Sequence, residues 1–177
     1  GHAMIMKKGG EALALHGGGA PKEPGIRYEV ADGQIRSELL VVEYALCDVA
    51  EGDGGLCVVP GSHKSNFACP SSLASLEKPG AWLRNVPQKA GSVVIFTEAL
   101  THGTLPWTAD HERRALFYRY TPGYMAFVGR YREDGLEASD GGYPQPSHSE
   151  EDDWSPEQRR ILEAPYFWQR DDTFPES

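Results

Sequence analysis

Apolar and polar positions in this chain alternate in short runs rather than at helical spacing. Five runs rich in β-branched and aromatic residues read as strands: IRYEV (26–30), ELLVVEYALCDV (38–49), GLCVVPG (55–61), SVVIFT (92–97) and RRALFYRYT (113–121). Asp32-Gly33 and the EGDGG stretch at 51–55 carry the residue types of hairpin turns between them. Within SVVIFTE, Val94, Phe96 and Glu98 share one face while Val93, Ile95 and Thr97 share the other. Both faces are largely apolar, so this strand is expected to be buried on two sides. A two-sheet sandwich or jelly roll meets that requirement better than one sheet with a wet face.

Helices are few. SSLASLEKPG (71–80) predicts a short one, and WSPEQRRILEAPYFW (154–168) opens with Ser155 as N-cap, Pro156 at the first position and Gln158 in the capping-box place. Residues 133–153, rich in Gly, Ser, Pro and acid, read as a long or mobile loop.

With 177 residues, 40% hydrophobic and 24% charged, the chain is sized for one domain with a sizeable core. Gly1-His2-Ala3-Met4 has the look of a trimmed purification tag, which puts the expected domain at 5–177 and removes His2 from any site argument. No apolar run nears the ~20 residues that span a bilayer, and no export signal opens the sequence, so a cytoplasmic protein is expected. Cys47, Cys57 and Cys69 include no Cys-x-x-Cys pair, so reduced thiols are expected rather than a disulfide framework or a thiolate zinc site. A formal net charge of −9 argues against non-specific nucleic-acid binding. Much of it lies in HSEEDDW (148–154) and QRDDTF (169–174), which read as solvated surface.

The candidate chemistry begins in GSVVIFTEALTHGTLPW (91–107), where an apolar run gives way to an isolated histidine, His102. A buried imidazole needs a hydrogen-bond partner or a metal, because an unpaired polar group away from water costs roughly 1–3 kcal/mol. His16, in ALALHGGGAP, ends another small apolar run 86 positions upstream (102 − 16). Two such histidines and a carboxylate would form the face that holds non-haem iron(II) with positions left open. Thr104 lies two residues beyond His102, and Arg113 opens the next strand, eleven residues on (113 − 102). A guanidinium fork and a hydroxyl suit the far end of a dicarboxylate chelating that iron. Arg114 takes the place of Arg113 if the register slips by one.

Three stretches in order, GDGGLCVVPGSHKSNF (52–67), AGSVVIFTEALTHGTLPW (90–107) and ERRALFYRYTPG (112–123), resemble the phytanoyl-CoA dioxygenase family of iron(II)/2-oxoglutarate oxygenases. The resemblance covers roughly residues 12–124. It implies a mainly β fold, the double-stranded β-helix (jelly roll, cupin-like) with a few peripheral helices. It further implies Fe(II) as cofactor, 2-oxoglutarate as co-substrate, and hydroxylation of a small organic substrate. Carried over by position, His102 is the distal metal ligand, His16 the first ligand, and Thr104 and Arg113 the anchors of the C5 carboxylate of 2-oxoglutarate. The family's carboxylate falls on Gly18, and family members usually have a longer N-terminal region.

Three readings of that glycine stay open. Glu98, just ahead of the turn carrying His102, substitutes as metal ligand, although it could instead accept backbone hydrogen bonds. Alternatively, the position is open and filled by water or halide, as in halogenases of this chemistry. In the third, the chain is a degenerate or non-catalytic jelly-roll binding module. His63 is expected to fix a turn, His111 to lie on the surface, and the His-x-Glu spacing of His148 and Glu150 to be fortuitous. Trp107, Phe117, Tyr118 and Tyr120 are expected in the core and pocket wall. A small-molecule substrate is the expected partner, with no nucleic acid and no membrane, and a homodimer is left open.

Overall fold

The computed structural model describes residues 1–18, 26–65, 67–77, 79–122, 125, 130–132, 135–137 and 154–161. Where the sequence suggests one domain over 5–177, the chain divides into two compact units, Gly1–Tyr120 and Thr121–Ser177.

Among its described residues the first unit contains ten strands: β1 (His2–Met6), β2 (Leu13–His16), β3 (Tyr28–Ala31), β4 (Gln34–Ser37), β5 (Leu40–Ala45), β6 (Gly55–Val58), β7 (Arg84–Asn85), β8 (Val93–Thr97), β9 (His102–Leu105) and β10 (Arg113–Tyr120). Eight of them form two four-stranded antiparallel sheets, ordered β1-β10-β5-β8 and β2-β9-β6-β7. This is the jelly roll anticipated from the sequence. The tag-like residues are structural here, since His2–Met6 pairs with Arg113–Phe117 as β1.

Asp32 and Gly33 form the two-residue turn of the β3–β4 hairpin, both with positive φ (53° and 73°), as a type I′ turn requires. The EGDGG segment does something else. Its flanking strands β5 and β6 lie in different sheets, so it carries the chain across the sandwich and is not a hairpin.

Alternation along each strand builds the core. Val41, Leu56, Phe96, Ala115 and Phe117 are buried together, with Met4, Val58, Val94 and Leu100 packed around them. A second cluster, Leu15, Cys57, Leu76 and Leu83, includes residues after the short helix α1 (Ser71–Ala74). That helix ends earlier than the sequence suggests: Leu76 has φ 59°, a left-handed conformation that a helix cannot pass through. Cys57 is fully buried, which pushes its thiol up to about 11, and all three cysteines are free.

Strand β8 departs from the expectation of two buried faces. Phe96 is buried, whereas Val93 and Ile95 are 45% and 64% exposed. The register places them beside Tyr44 and Val42, and on the same outward face Leu40, Tyr118 and Tyr120 are also exposed. Periodicity identifies an apolar face but not whether anything covers it. Tyr118 and Tyr120 therefore lie on the exposed outer face of the sheet, which corrects their expected place in the core, whereas Trp107 and Phe117 are buried as anticipated.

In the second unit, β11 (Arg130–Arg132) pairs with β12 (Gly135–Glu137), which corrects the loop expectation at those three residues. Helix α2 (Pro156–Ile161) has its capping box: Ser155 N–H donates to Gln158 Oε1 at 2.7 Å and Gln158 N–H to Ser155 Oγ at 3.3 Å. The rest of the 133–153 and 154–168 expectations lies outside the described residues. Among the described residues no helix is long and apolar enough to cross a membrane.

Candidate metal centre

An irregularity in β2 aims the first histidine. Leu13 pairs with Thr104 and His16 with His102, so three steps along β2 match two along β9. This extra residue, a β-bulge, reverses the alternation. Leu15 then joins the second cluster while His16 comes round beside His102, their ring centroids 4.2 Å apart.

Both imidazoles are oriented by backbone carbonyls. His102 Nδ1–H donates to Leu100 O at 2.7 Å and His16 Nδ1–H to Ala14 O at 3.0 Å. A carbonyl can only accept, so each Nε2 keeps its lone pair for a metal. Burial, the largest influence, lowers the pKa of His102 despite the Leu100 carbonyl and Glu98, and this favours the neutral ligand form. Phe96 packs edge-on against the His102 ring at 4.8 Å and shields it from water.

Glu98 completes the group. Its Oε1 lies 3.9 Å from His102 Nε2, and potential ligand atoms of His16, Glu98 and His102 all lie within 4.8 Å of one another. Among the described residues this is the one cluster of histidine, cysteine and acid side chains with metal-holding geometry. Its two-histidine-one-carboxylate donor set fits iron(II). Glu98 is buried, and its Oε2 lies 3.7 Å from Nε of the partly exposed Arg119.

The glycines after His16 have a packing role. Gly17 (φ 73°) and Gly18 (φ 100°) have backbone conformations that side chains disfavour. A Cβ on Gly17 would run into the Glu98 carbonyl, and one on Gly18 would sit 2.8 Å from Thr101 Oγ1. The absence of side chains lets Gly17 and Gly18 lie against the Glu98–Thr101 turn. Gly18→Asp is therefore expected to destabilise the fold by about 1 kcal/mol or more without tightening metal binding. A tenfold gain in cobalt(II) affinity in that variant would contradict this account.

Thr104 is buried two residues beyond His102 on β9. Arg113 is inward and 1% exposed, and Arg114 is on the surface, paired with Glu112 at 2.7 Å. Arg113 Nη2 donates to Glu43 Oε1 at 2.6 Å, and Nη1 approaches the Met4 thioether at 2.9 Å. The sequence reading missed Glu43 and Arg119. A lone acid inside LLVVEYAL, at the same parity as Val41 and Ala45, was the available signal for Glu43. For Arg119 it was the shared parity with Arg113 along β10.

His63 sits in a 3-10 turn (Ser62–Lys64), edge-on to Tyr28 at 4.6 Å. His111 Nε2–H donates to Asp48 O at 2.9 Å. Neither joins the cluster, and His148 and Glu150 lie outside the described residues.

Residues 17–115, from just after His16 to just past Arg113, match the family model for phytanoyl-CoA dioxygenase. The chain belongs to that family. Among solved structures it is similar to HygX from Streptomyces hygroscopicus with nickel and 2-oxoglutarate bound. That match is 25% identical with TM-score 0.63, covering 73% of this chain and 56% of HygX. The iron-bound HygX structure matches at TM-score 0.58 and 25% identity, covering 73% and 58% of the two chains. AviO1 from Streptomyces viridochromogenes Tue57 shares the fold at 19% identity and TM-score 0.51, over 68% of this chain and 48% of that one. This member of the phytanoyl-CoA dioxygenase family thus spans little more than half the length of HygX. No curated protein matches it in sequence.

Proposed function

We propose that this chain is an iron(II)/2-oxoglutarate-dependent oxygenase that hydroxylates a small organic substrate. The observation that carries the reading is the convergence of His16, Glu98 and His102, from β2, the turn after β8, and β9, onto one point. In this reading those three side chains hold iron(II), with Glu98 supplying the anionic oxygen that Gly18 cannot. The iron, when bound, would supply oxygen activation coupled to decarboxylation of 2-oxoglutarate.

The chain's own residues bind, orient and keep the site dry. The two backbone carbonyls fix both rings with Nε2 forward. Phe96 limits water at His102. Thr104 and Arg113, which face the interior between the sheets, are the proposed contacts of the co-substrate's C5 carboxylate. HygX, whose structures include one with nickel, 2-oxoglutarate and hygromycin B, supports a small-molecule substrate.

The test is an anaerobic titration with iron(II) followed by 2-oxoglutarate. A metal-to-ligand charge-transfer band, and succinate formed on admitting oxygen, are expected. Iron binding with no such band would instead identify a non-catalytic jelly-roll module.

A further inference from the structure

The arginine proposed to anchor the co-substrate already has a partner of its own. Glu43 and Arg113 are each 1% exposed, and their 2.6 Å contact joins adjacent strands β5 and β10 inside the sandwich. The rest of the guanidinium is poorly satisfied. Nη1 reaches only the thioethers of Met4 (2.9 Å) and Met6 (3.7 Å), both weak acceptors, and Nε has no hydrogen-bond partner among the described residues. Nε also lies against the backbone of Gly55, where a Cβ would approach it to 3.0 Å. Glu43 Oε2 has no hydrogen-bond partner within 3.5 Å among the described residues, with the Gln88 side chain interacting at longer range.

We infer that Glu43 is a specificity-determining residue: by neutralising Arg113 from within the fold, it makes the pocket nearly indifferent to the distal carboxylate of a 2-oxo acid. This rests on the oxygenase reading above and concerns the far end of its co-substrate. An isolated buried guanidinium would favour a 2-oxo diacid strongly, because the attraction is little screened there. A guanidinium already holding a carboxylate is one half of a neutral pair. A second carboxylate must then meet Glu43 as a like charge and lose its water for a shared cation. A 2-oxo acid ending in a methyl group has neither cost, so the site is expected to accept such monoacids alongside 2-oxoglutarate.

The surroundings of Glu43 give the second carboxylate little help. Arg113 is the one cation that reaches Glu43 among the described residues, Gln88 lies nearby, and its β8 neighbour in register is the apolar Val94. Burial, the largest influence, raises the pKa of Glu43 against the opposing effects of Arg113 and the Gln88 side chain.

The test compares 2-oxoglutarate with 2-oxopentanoate, the same five-carbon 2-oxo acid without the distal carboxylate. Each is titrated calorimetrically into the cobalt(II)-loaded protein. The wild-type chain is expected to prefer 2-oxoglutarate by less than about tenfold, and Glu43→Gln by at least about thirtyfold, the gain coming from tighter 2-oxoglutarate binding. A wild-type preference of about a hundredfold or more, or an unchanged preference in Glu43→Gln, overturns the inference and leaves the oxygenase reading standing. If cobalt binds but neither 2-oxo acid does, both fail together. If Glu43→Gln does not fold, the wild-type comparison alone decides.

Discussion

Arg113→Ala is expected to cost the fold about 3–5 kcal/mol, a large share of the roughly 5–15 kcal/mol that stabilises a typical domain. The substitution strands Glu43, which is 1% exposed and has no other cation within reach among the described residues. It also opens a void beside Phe117, whose ring centroid lies 5.9 Å from the Arg113 guanidinium carbon. Pairing Arg113→Met with Glu43→Leu should recover most of the loss, since an apolar pair of similar size leaves no uncompensated charge. Urea unfolding of the wild type, both single variants and the double variant measures the coupling. A loss below about 1 kcal/mol in Arg113→Ala would mean that Glu43 finds water or a proton in the native state. Arg113 is also the proposed contact of the co-substrate, so a binding defect in this variant is interpretable only beside its unfolding curve.

Glu98→Gln is expected to weaken metal binding by about 100-fold, at or beyond the top of the range seen when mere supporting residues are lost. Without the Glu98 carboxylate, His16 and His102 offer two neutral imidazoles, and no third ligand of the cluster remains. The substitution keeps the shape of a side chain held beside Arg119, so the fold should survive it. Calorimetric titration with cobalt(II) checks this, and unchanged affinity would remove Glu98 from the ligand set. Repeating that titration with and without chloride would then ask whether a halide completes the site.

Much of the fold can be traced to strand alternation and turn chemistry. Four of the five apolar runs contain a long or central strand of the two main sheets, and IRYEV contributes to the β3–β4 hairpin. The remaining strands were harder to read for physical reasons. Arg84–Asn85 is two residues long, and Gln34–Ser37 has little apolar content to show a period. His2–Met6 overlaps Gly1–Met4, which has the look of a tag. For the candidate site, residue type and position at the ends of apolar runs point to His16, His102 and Glu98. The convergence of His16 on the others depends on the β2 bulge, a one-residue irregularity with no marker in the sequence. The role of Gly18 was likewise hidden, because a missing carboxylate and a required positive φ look the same in one-letter code. Glu43 was legible in principle, since a charge in the middle of an apolar strand must either face water or find a partner.

Strand β8 has a further consequence, for self-association. It is the outer strand of its sheet among the described residues, β-branched at Val93, Val94, Ile95 and Thr97, and uncharged throughout. An outer strand presents unpaired N–H and C=O groups to any similar segment, and exposed Ile95 and Val93 add an apolar side for stacking. A partly opened molecule would thus template its own aggregation through the strand that leads into Glu98. Ile95→Lys places a charge where the side chain is already 64% exposed, so the unfolding midpoint should barely change while light scattering on heating falls. The strand that positions the candidate metal ligand is then also the one expected to limit how concentrated a solution of this protein can be kept.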